Sequence, residues 1–164
     1  MDFALSEEQS QTVALAQQIL AKEAAVEHLK VLEASGTRYD SVLWQQLAES
    51  GLVGACLGEA HGGMGFGFET LCLLAQEVGA TVAPLPLLPC LVSAMALEQV
   101  AGAATAEAIL PAVAKGETLL TVALNEPGND DPAQPSTCLE EVDGQLRLHG
   151  TKHLVPYAAQ APRQ

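Results

Sequence analysis

The residue groups in this chain that could do chemistry are few, and the first is a pair of histidines. His149 and His153 are four residues apart, a spacing that on a helix would suit a shared metal ion. Gly150 and the alternation of polar and apolar residues around it predict a strand instead. Residues four apart on a strand are separated by roughly 13 Å, which is too far for one ion. We therefore predict no metal site here.

Adjacent acidic residues are the second candidate group, because paired carboxylates can act as general acid and base. They occur at Glu7–Glu8, Asp130–Asp131 and Glu140–Glu141. Neighbours on a strand point to opposite faces, and neighbours in a loop are solvated, so none of these pairs predicts acid–base chemistry. The other two histidines offer no more. His28 is expected on an exposed helix face, and His61 in a loop, either solvated or bonded to backbone.

The glycine-rich stretch 58–67 is the third candidate, since glycine loops can cradle phosphates. Gly63, Gly65 and Gly67 do not have the G-x-G-x-x-G spacing, no strand precedes them, and no Gly-Lys-Ser/Thr follows. We therefore predict a structural connection between two packed helices. The cysteines form no Cys-x-x-Cys pair and are predicted to be buried free thiols: Cys56, Cys72, Cys90 and Cys138.

The composition of the chain excludes several classes of partner. It has 164 residues, of which 49% are hydrophobic, enough for a core. Seven basic and 20 acidic residues give a formal net charge of −13, which disfavours nucleic acid and anionic membranes. No apolar run reaches the roughly 18 residues of a membrane helix, and the start MDFALSEEQ does not have the features of a signal peptide. We expect a cytoplasmic protein without a membrane span.

The elements that must position these residues are helical up to about residue 115. Ser6 and Gln9 form a capping-box pattern that predicts a long first helix ending near Ala34. Asp40 or Ser41 caps a second helix, and Gly51 ends it.

Three further helices are predicted before the pattern changes. Gly79 ends the first, prolines lead into the second at roughly 90–100, and Thr105 caps the third. Pro111 interrupts or restarts that third helix, and Gly116 ends it. The first of the three carries an apolar stripe of Phe68, Leu71, Cys72, Ala75 and Val78, and the prolines are Pro84, Pro86 and Pro89.

After Gly116 the pattern predicts β structure. Residues 119–124 form an apolar run suited to a buried strand. Two strands, 137–142 and 145–149, are joined by a hairpin turn at Asp143-Gly144, and alternation predicts that the second is half-buried, with Leu154-Val155 continuing its apolar face. The predicted fold class is therefore mostly α with a C-terminal β segment (α+β).

Several stretches, in the same order, resemble the N-terminal part of the acyl-CoA dehydrogenases. DFALSEEQ is similar to their first helix, and WQQLAESGLVG with GEAHGGMG to their second helix and glycine-rich turn. LLAQEVGATVAPLPLLP resembles the next helix and turn, and LPAVAKGE the last helix before the β domain. ALNEPG and LRLHGTKHLVPYAAQA resemble two flavin-side segments of that β domain.

The resemblance implies an N-terminal helical bundle, residues 1–116, followed by an incomplete middle β domain, residues 117–164, that is part of a β-barrel. It implies FAD as cofactor, an acyl-CoA substrate in fatty acid or steroid degradation, and electron-transfer flavoprotein as electron acceptor. In the family reaction an α proton is abstracted and a β hydride passes to flavin N5. The Glu base usually comes from a C-terminal helical bundle, so we assign no catalytic residue here.

Two segments carry the cofactor-binding positions that the resemblance implies. The family has Leu-Thr-Glu-Pro followed soon by Gly-Ser-Asp, whereas here Asn125 stands for the Thr and NDDPAQ for the later motif. The family then has Trp/Phe-Ile-Thr, whereas Pro156 here has neither the hydroxyl nor the backbone N–H of that Thr. The implied positions are Leu124, Asn125, Glu126, Pro127, Gly128, Leu154, Val155 and Pro156.

These departures leave two functions open. They resemble members that act on bulky steroid CoA esters, and also partner subunits of heteromeric dehydrogenases. The chain is therefore either the N-terminal portion of a dehydrogenase, inactive by itself, or a non-catalytic partner or scaffold subunit. A helical interaction domain with accidental similarity is a third reading. An unfinished β domain has an exposed edge and an apolar face, so we expect a homo- or hetero-oligomer.

Overall fold

The structure, a computed structural model, describes residues 5–161. Within that range the chain folds into six α-helices, a short 3₁₀ turn and one two-stranded hairpin, which confirms the predicted fold class. None of these helices combines the length and the apolar character that a membrane crossing needs. The elements are α1 Glu7–Glu23, α2 Val26–Ala34, α3 Ser41–Glu49, the 3₁₀ turn Glu59–His61, α4 Gly67–Thr81, α5 Leu87–Val100, α6 Ala103–Ala114, β1 Cys138–Val142 and β2 Gln145–His149. Residues 1–4 lie outside the described range, and with them the first three residues of DFALSEEQ, the stretch that resembles the family's first helix.

The first predicted helix is in fact two helices. α1 begins with the predicted capping box, in which the Gln9 N–H donates to Ser6 Oγ (3.1 Å) and the Ser6 N–H to Gln9 Oε1 (3.0 Å). The chain then bends at residues 24–25 before α2, so the prediction of one helix to Ala34 is wrong. Both residues at the bend are alanines, the best helix formers, so the local sequence carries no sign of it. Beyond the bend, Leu29 packs against the core.

Trp44 is the centre of the helical domain. Of the two predicted caps, Asp40 is the one that caps α3, and its Oδ1 accepts from the Leu43 N–H (3.0 Å). Trp44 is 2% exposed and donates its Nε1–H to the carbonyl oxygen of Gly116, just after α6 (3.0 Å). Gly116 has a φ of +70°, and a Cβ there would lie only 2.5 Å from the Ala48 Cβ. Glycine is therefore required at position 116, where the end of α6 packs against α3.

The glycine-rich loop between α3 and α4 folds back on itself. Its first part, from Ala55 to Leu57, is buried in the core. The Gly65 N–H donates to the Leu57 carbonyl (2.7 Å), and the Phe66 N–H to the Ala55 carbonyl (3.1 Å). These bonds leave the loop compact and place its start among the helices.

α4 differs from its prediction at its end and on its buried face. The helix continues through Gly79 and ends before Val82, which has a φ of +53°. Phe68 and Cys72 of the predicted stripe are exposed. A helix with many apolar residues does not show from its sequence alone which side faces the core. The buried side chains are Thr70, Leu71 and Leu74.

α5 and α6 both begin earlier than predicted. α5 starts at Leu87, and Pro89 lies in its first turn, where a missing N–H costs no helical bond. α6 starts at Ala103, so Thr105 lies inside the helix and does not cap it. Pro111 also lies inside α6, which continues through it to Ala114. Apart from that proline, α6 is rich in Ala, the best helix former, and this composition favours the helix.

The four thiols divide into two classes. Cys56 and Cys90 are buried, and burial raises their pKa values to about 12 and about 11. Cys72 and Cys138 are exposed, so the prediction of buried thiols is wrong for these two.

The hairpin matches its prediction in pairing but not in burial. β1 and β2 pair antiparallel around Asp143-Gly144, and both turn residues have positive φ. Leu139 and Leu148 lie opposite each other in this register, yet they are 60% and 73% exposed. Because β1 and β2 pair only with each other in the described part of the chain, the predicted half-buried strand is exposed along its length.

The segment 119–124 is not a strand. Leu119 is buried, as predicted for an apolar run, but this segment has no pairing partner among residues 5–161. Strand formation needs a neighbour that satisfies the backbone groups, and apolar composition does not supply one. Leu154 does not continue the face of β2 either, since it is 79% exposed with a φ of +51°.

Replacing Gly63 by Ala is expected to destabilise the helical domain. A Cβ at Gly63 would lie 2.1 Å from the Leu57 carbonyl oxygen and 2.5 Å from that of Gly54, and backbone atoms cannot yield without opening the loop. We expect a loss of about 1–3 kcal/mol in the free energy of unfolding in urea. Gly79→Ala is the matched control, because its site in α4 is exposed with nothing within 4 Å. It should stabilise the chain by about 0.5–1 kcal/mol. Equal effects of the two substitutions would contradict this account of the loop.

Candidate functional site

The two segments that carry the predicted cofactor positions lie side by side. The His153 N–H donates to the Asn125 carbonyl oxygen (3.0 Å), and Lys152 Nζ donates to the Leu124 carbonyl oxygen (3.3 Å). The second of these bonds joins residues 28 positions apart in the sequence. Residues 124–128 and 152–156 therefore form one local structure.

Glu126 is the centre of this structure. It is 5% exposed, and its Oε1 lies 2.7 Å from Lys152 Nζ. The same carboxylate accepts from the Thr137 N–H (2.9 Å), the Thr137 hydroxyl and the Ser136 N–H. One acidic side chain thus holds three pieces of chain, at residues 126, 136–137 and 152. Sequence analysis placed Glu126 at the site but missed its partners, of which Lys152 lies within the flavin-side segment HGTKHLVP.

The electrostatics of Glu126 follow from these contacts. The Lys152 ammonium holds the pKa of the Glu126 carboxyl well below its usual range, with further lowering from Thr137 and Ser136, while burial acts in the opposite direction. Hydrogen bonds to the ionised form outweigh the cost of removing the charge from water. Glu126 is therefore an ionised, internally satisfied group and is unsuited to act as a general base.

The turn after Glu126 is ordered although it does not have the family's Gly-Ser-Asp. Asn129 Oδ1 accepts from the Asp131 N–H (3.0 Å), and its Nδ2 donates to the Gln134 carbonyl (2.8 Å). Gly128 provides a φ of +73° in this turn. Asn and Asp side chains that bond nearby backbone stabilise such turns, so NDDPAQ forms a defined structure by other means.

The predicted cofactor positions differ in whether they can face a ligand. Glu126 is directed inward, and Val155 is half-buried. The carbonyl oxygen of Pro156 accepts from the Thr121 hydroxyl (2.7 Å) and is therefore already engaged. The exposed positions are Leu124, Asn125, Pro127, Gly128, Leu154 and Pro156.

An apolar cavity of about 420 Å³ lies beside this structure, between α5, α6 and residues 119–122. Its walls include Leu97, Val100, Ile109 and Leu120. Thr121 lines the cavity and also bonds to Pro156, so the cavity and the second segment are neighbours.

Two histidines have partners that the sequence did not indicate. His28 Nε2 lies 2.7 Å from Asp40 Oδ2, and so joins α2 to the cap of α3. His61 Nε2 lies 3.7 Å from Glu98 Oε1, which also accepts from the Gly58 N–H (3.0 Å). His28 lies on an exposed face of α2, as predicted, whereas His61 is largely buried against Glu98, so the expectation of a solvated or backbone-bonded side chain is wrong for His61. These contacts join helical elements, and residues 5–161 contain no cluster of three or more metal-type ligands.

Comparison with known proteins gives the class to which this architecture belongs. The family model "Acyl-CoA dehydrogenase, N-terminal domain" matches residues 6–117. The chain is 39% identical over 121 residues to acyl-CoA dehydrogenase FadE28 of Mycobacterium tuberculosis, covering 73% of this chain and 34% of that protein. It is 27% identical over 158 residues to acyl-CoA dehydrogenase FadE27 of the same organism, covering 96% and 41%.

Solved structures share the fold. A variant of the Tcur3481-Tcur3483 steroid ACAD is similar with a TM-score of 0.88 at 41% identity, over 94% of this chain and 43% of that chain. The ChsE4-ChsE5 complex from Mycobacterium tuberculosis is similar with a TM-score of 0.87 at 26% identity, over 98% and 43%. This chain spans less than half the length of these relatives. Its fold matches the N-terminal helical domain and the start of the β domain of acyl-CoA dehydrogenases. The chain belongs to the acyl-CoA dehydrogenase family.

Replacing Glu126 by Gln is expected to loosen the site in a pH-dependent manner. Because its folded-state pKa is lowered, ionised Glu126 contributes stability at pH values above the ordinary carboxyl pKa of about 4.3. That contribution is lost as the pH falls below this value towards the folded-state pKa. The difference in thermal midpoint between the natural chain and E126Q should therefore be large at pH 7 and shrink as the pH falls below about 4.

Glu141→Gln is the matched control for this experiment, because Glu141 is an exposed carboxylate on the nearby hairpin. It should change the midpoint little at any pH. A difference between the natural chain and E126Q that is constant from pH 7 to pH 3 would show that the charge of Glu126 does not stabilise the fold.

Proposed function

We propose that this chain is the N-terminal portion of a flavoprotein that dehydrogenates an acyl-CoA thioester between its α and β carbons. The observation that carries the proposal is the direct contact of residues 124–126 with Lys152 and His153, within the two segments that resemble the flavin side of the family's β domain. These contacts bring together two segments that are 28 residues apart in the sequence, which supports a shared site.

The exposed residues at these segments fit a flavin in part. Leu124 and Leu154 offer apolar contact to a planar ring system, and the exposed Asn125 amide can both donate and accept hydrogen bonds. Pro156 has no N–H, and its carbonyl oxygen is engaged by Thr121, so it offers only apolar contact. FAD, when bound, supplies the hydride acceptor. The residues of this chain orient it through residues 124–125 and 154, and we assign none of them as the base.

The apolar cavity beside α5 supports a bulky acyl group as the substrate. Its walls are mainly aliphatic and its position next to Thr121 brings it close to Pro156. Apolar walls favour hydrocarbon over polar groups, as a fatty acyl or steroid side chain requires. Similarity to a steroid ACAD supports the second of these. With a net charge of −13, the chain is a poor match for the CoA phosphates, which need cations from other residues.

We also propose that the whole protein works as a homo- or hetero-oligomer with electron-transfer flavoprotein as its electron acceptor. The division into a helical domain, 1–116, and a β domain, 117–164, is part of this proposal. The end of α6 at Ala114 and the family match to residue 117 support it.

The alternative function is that of a non-catalytic partner or scaffold subunit. Asn125 and Pro156 favour it, because they remove a hydroxyl and a backbone N–H from the positions that resemble flavin contacts. Similarity to the ChsE4-ChsE5 complex supports association with a second subunit.

The visible absorption of the purified chain during titration with FAD tests the proposal. If this chain carries a flavin site, oxidised flavin should co-elute with the protein in gel filtration, whereas free FAD separates by size. Protein that elutes without flavin at every FAD concentration would favour the partner-subunit function. We expect the chain alone to have no dehydrogenase activity, since no base is assigned in it.

The double substitution Asn125→Thr and Pro156→Thr is expected to strengthen FAD binding. It returns two hydroxyls and one backbone N–H to exposed positions, and Pro156 does not have a positive φ that would strain a threonine. One or two added hydrogen bonds should lower the Kd about five- to thirtyfold. Pro132→Thr is the matched control, an exposed proline in the turn after Glu126, and should leave the Kd unchanged. Equal Kd values for all three proteins would show that residues 125 and 156 do not face the flavin.

A further inference from the structure

We propose that Lys152 is a positioning residue, which fixes residues 124–126 and 152–156 relative to each other and so sets the shape of the candidate cofactor site. Its part in cofactor binding rests on the function proposed above. Its part in holding the segments together stands on the geometry alone.

Lys152 contacts two residues of the first segment, Glu126 and Leu124. Its Nζ lies 2.7 Å from Glu126 Oε1 and donates to the Leu124 carbonyl oxygen (3.3 Å). The next residue, His153, donates its N–H to the Asn125 carbonyl oxygen (3.0 Å). Lys152 and His153 together therefore engage three consecutive residues of the first segment. We call these contacts of Lys152 and His153 with residues 124–126 the clamp. The side chain of Lys152 is 24% exposed, so most of the clamp is shielded from water.

The ammonium of Lys152 also determines whether Glu126 can keep its other bonds. A carboxylate that is 4% exposed at its side chain remains ionised only while a cation and N–H donors compensate the lost hydration. Without Lys152, Glu126 must either take up a proton or turn to solvent. Either change weakens the bonds that Glu126 accepts from Ser136 and Thr137. Loss of the Lys152 charge is therefore expected to loosen the chain at residues 124–126, 136–137 and 152.

The bonds at Glu126 and Lys152 involve no residue of α1–α6. Trp44, the only tryptophan, is buried against Gly116 and reports the packing of α3 and α6. A substitution that acts at the clamp should therefore leave Trp44 fluorescence unchanged while it alters the amides near Glu126. A substitution that simply unfolds the protein changes both.

The experiment compares Lys152→Met and Lys152→Arg with the natural chain. Methionine keeps much of the length of the side chain and removes the charge, and arginine keeps the charge. Lys30→Met is the matched control, because Lys30 is exposed on α2. Hydrogen exchange is measured at the amides of Ser136, Thr137 and His153, together with Trp44 emission and, where the natural chain binds it, the Kd for FAD.

We expect K152M to speed exchange at these three amides by roughly tenfold or more, with Trp44 emission and exchange in the helices unchanged. K152R should restore much of the protection, and K30M should behave as the natural chain. Adding E126Q to K152M should cost less than the sum of the two single changes, because no unpaired charge is then left. The Kd for FAD should rise in K152M and recover in K152R.

Two results would overturn the inference. The first is unchanged exchange at the three amides in K152M, or an equal increase in K30M. The second is faster exchange in K152M with an unchanged Kd for FAD, which would make Lys152 a local stabilising residue without influence on the site. If the natural chain binds no FAD, the proposed cofactor site fails, and the exchange data alone decide whether Lys152 holds the segments together.

Discussion

Burial of the Glu126 carboxylate is the constraint on which the structure after the last helix depends. In a chain with 20 acidic and seven basic residues, most carboxylates stay in water, where their charges cost little. Glu126 does not, and its hydration is replaced by Lys152, Ser136 and Thr137. Since these partners come from separate stretches of chain, the carboxylate can be buried only when all of them are in place. The contacts of Glu126 are therefore expected to form and break together. This gives the region order although β1 and β2 are exposed and supply no buried core.

The helical half is held by a different kind of interaction. Its core is aliphatic, and its central polar bond is that from Trp44 to the Gly116 carbonyl. That bond fixes the end of α6, where the chain leaves the helices and runs through residues 119–122 to the site. The Thr121 hydroxyl then bonds to Pro156, and Tyr39 meets Tyr157 edge to face with 6.4 Å between ring centroids. Through these contacts the helices position the second of the two site segments.

The sequence predicts what depends on local patterns and fails where distant residues decide. The Ser6 capping box, the Gly116 helix end and the Asp143-Gly144 turn are set by a few neighbouring residues and match the predictions, and Asp40 is one of the two caps predicted for α3. The bend at residues 24–25 and the exposed face of α4 depend on packing between helices, which periodicity does not contain. The resemblance indicated both site segments. It did not indicate Lys152 as the link, because nothing local distinguishes a half-buried, paired lysine from a solvated one.

Shape and chemistry at the candidate site are set by different residues. Glu126, Lys152 and Thr137 satisfy one another, so the two segments are held together by the protein's own bonds and need no ligand to meet. The exposed positions, chiefly 124, 125, 154 and 156, are the ones that face outward at this site. A site of this kind keeps its geometry while its exposed groups change. A dehydrogenase and a partner subunit could therefore share the same clamp, and in our proposal the two functions differ in the groups at positions 125 and 156.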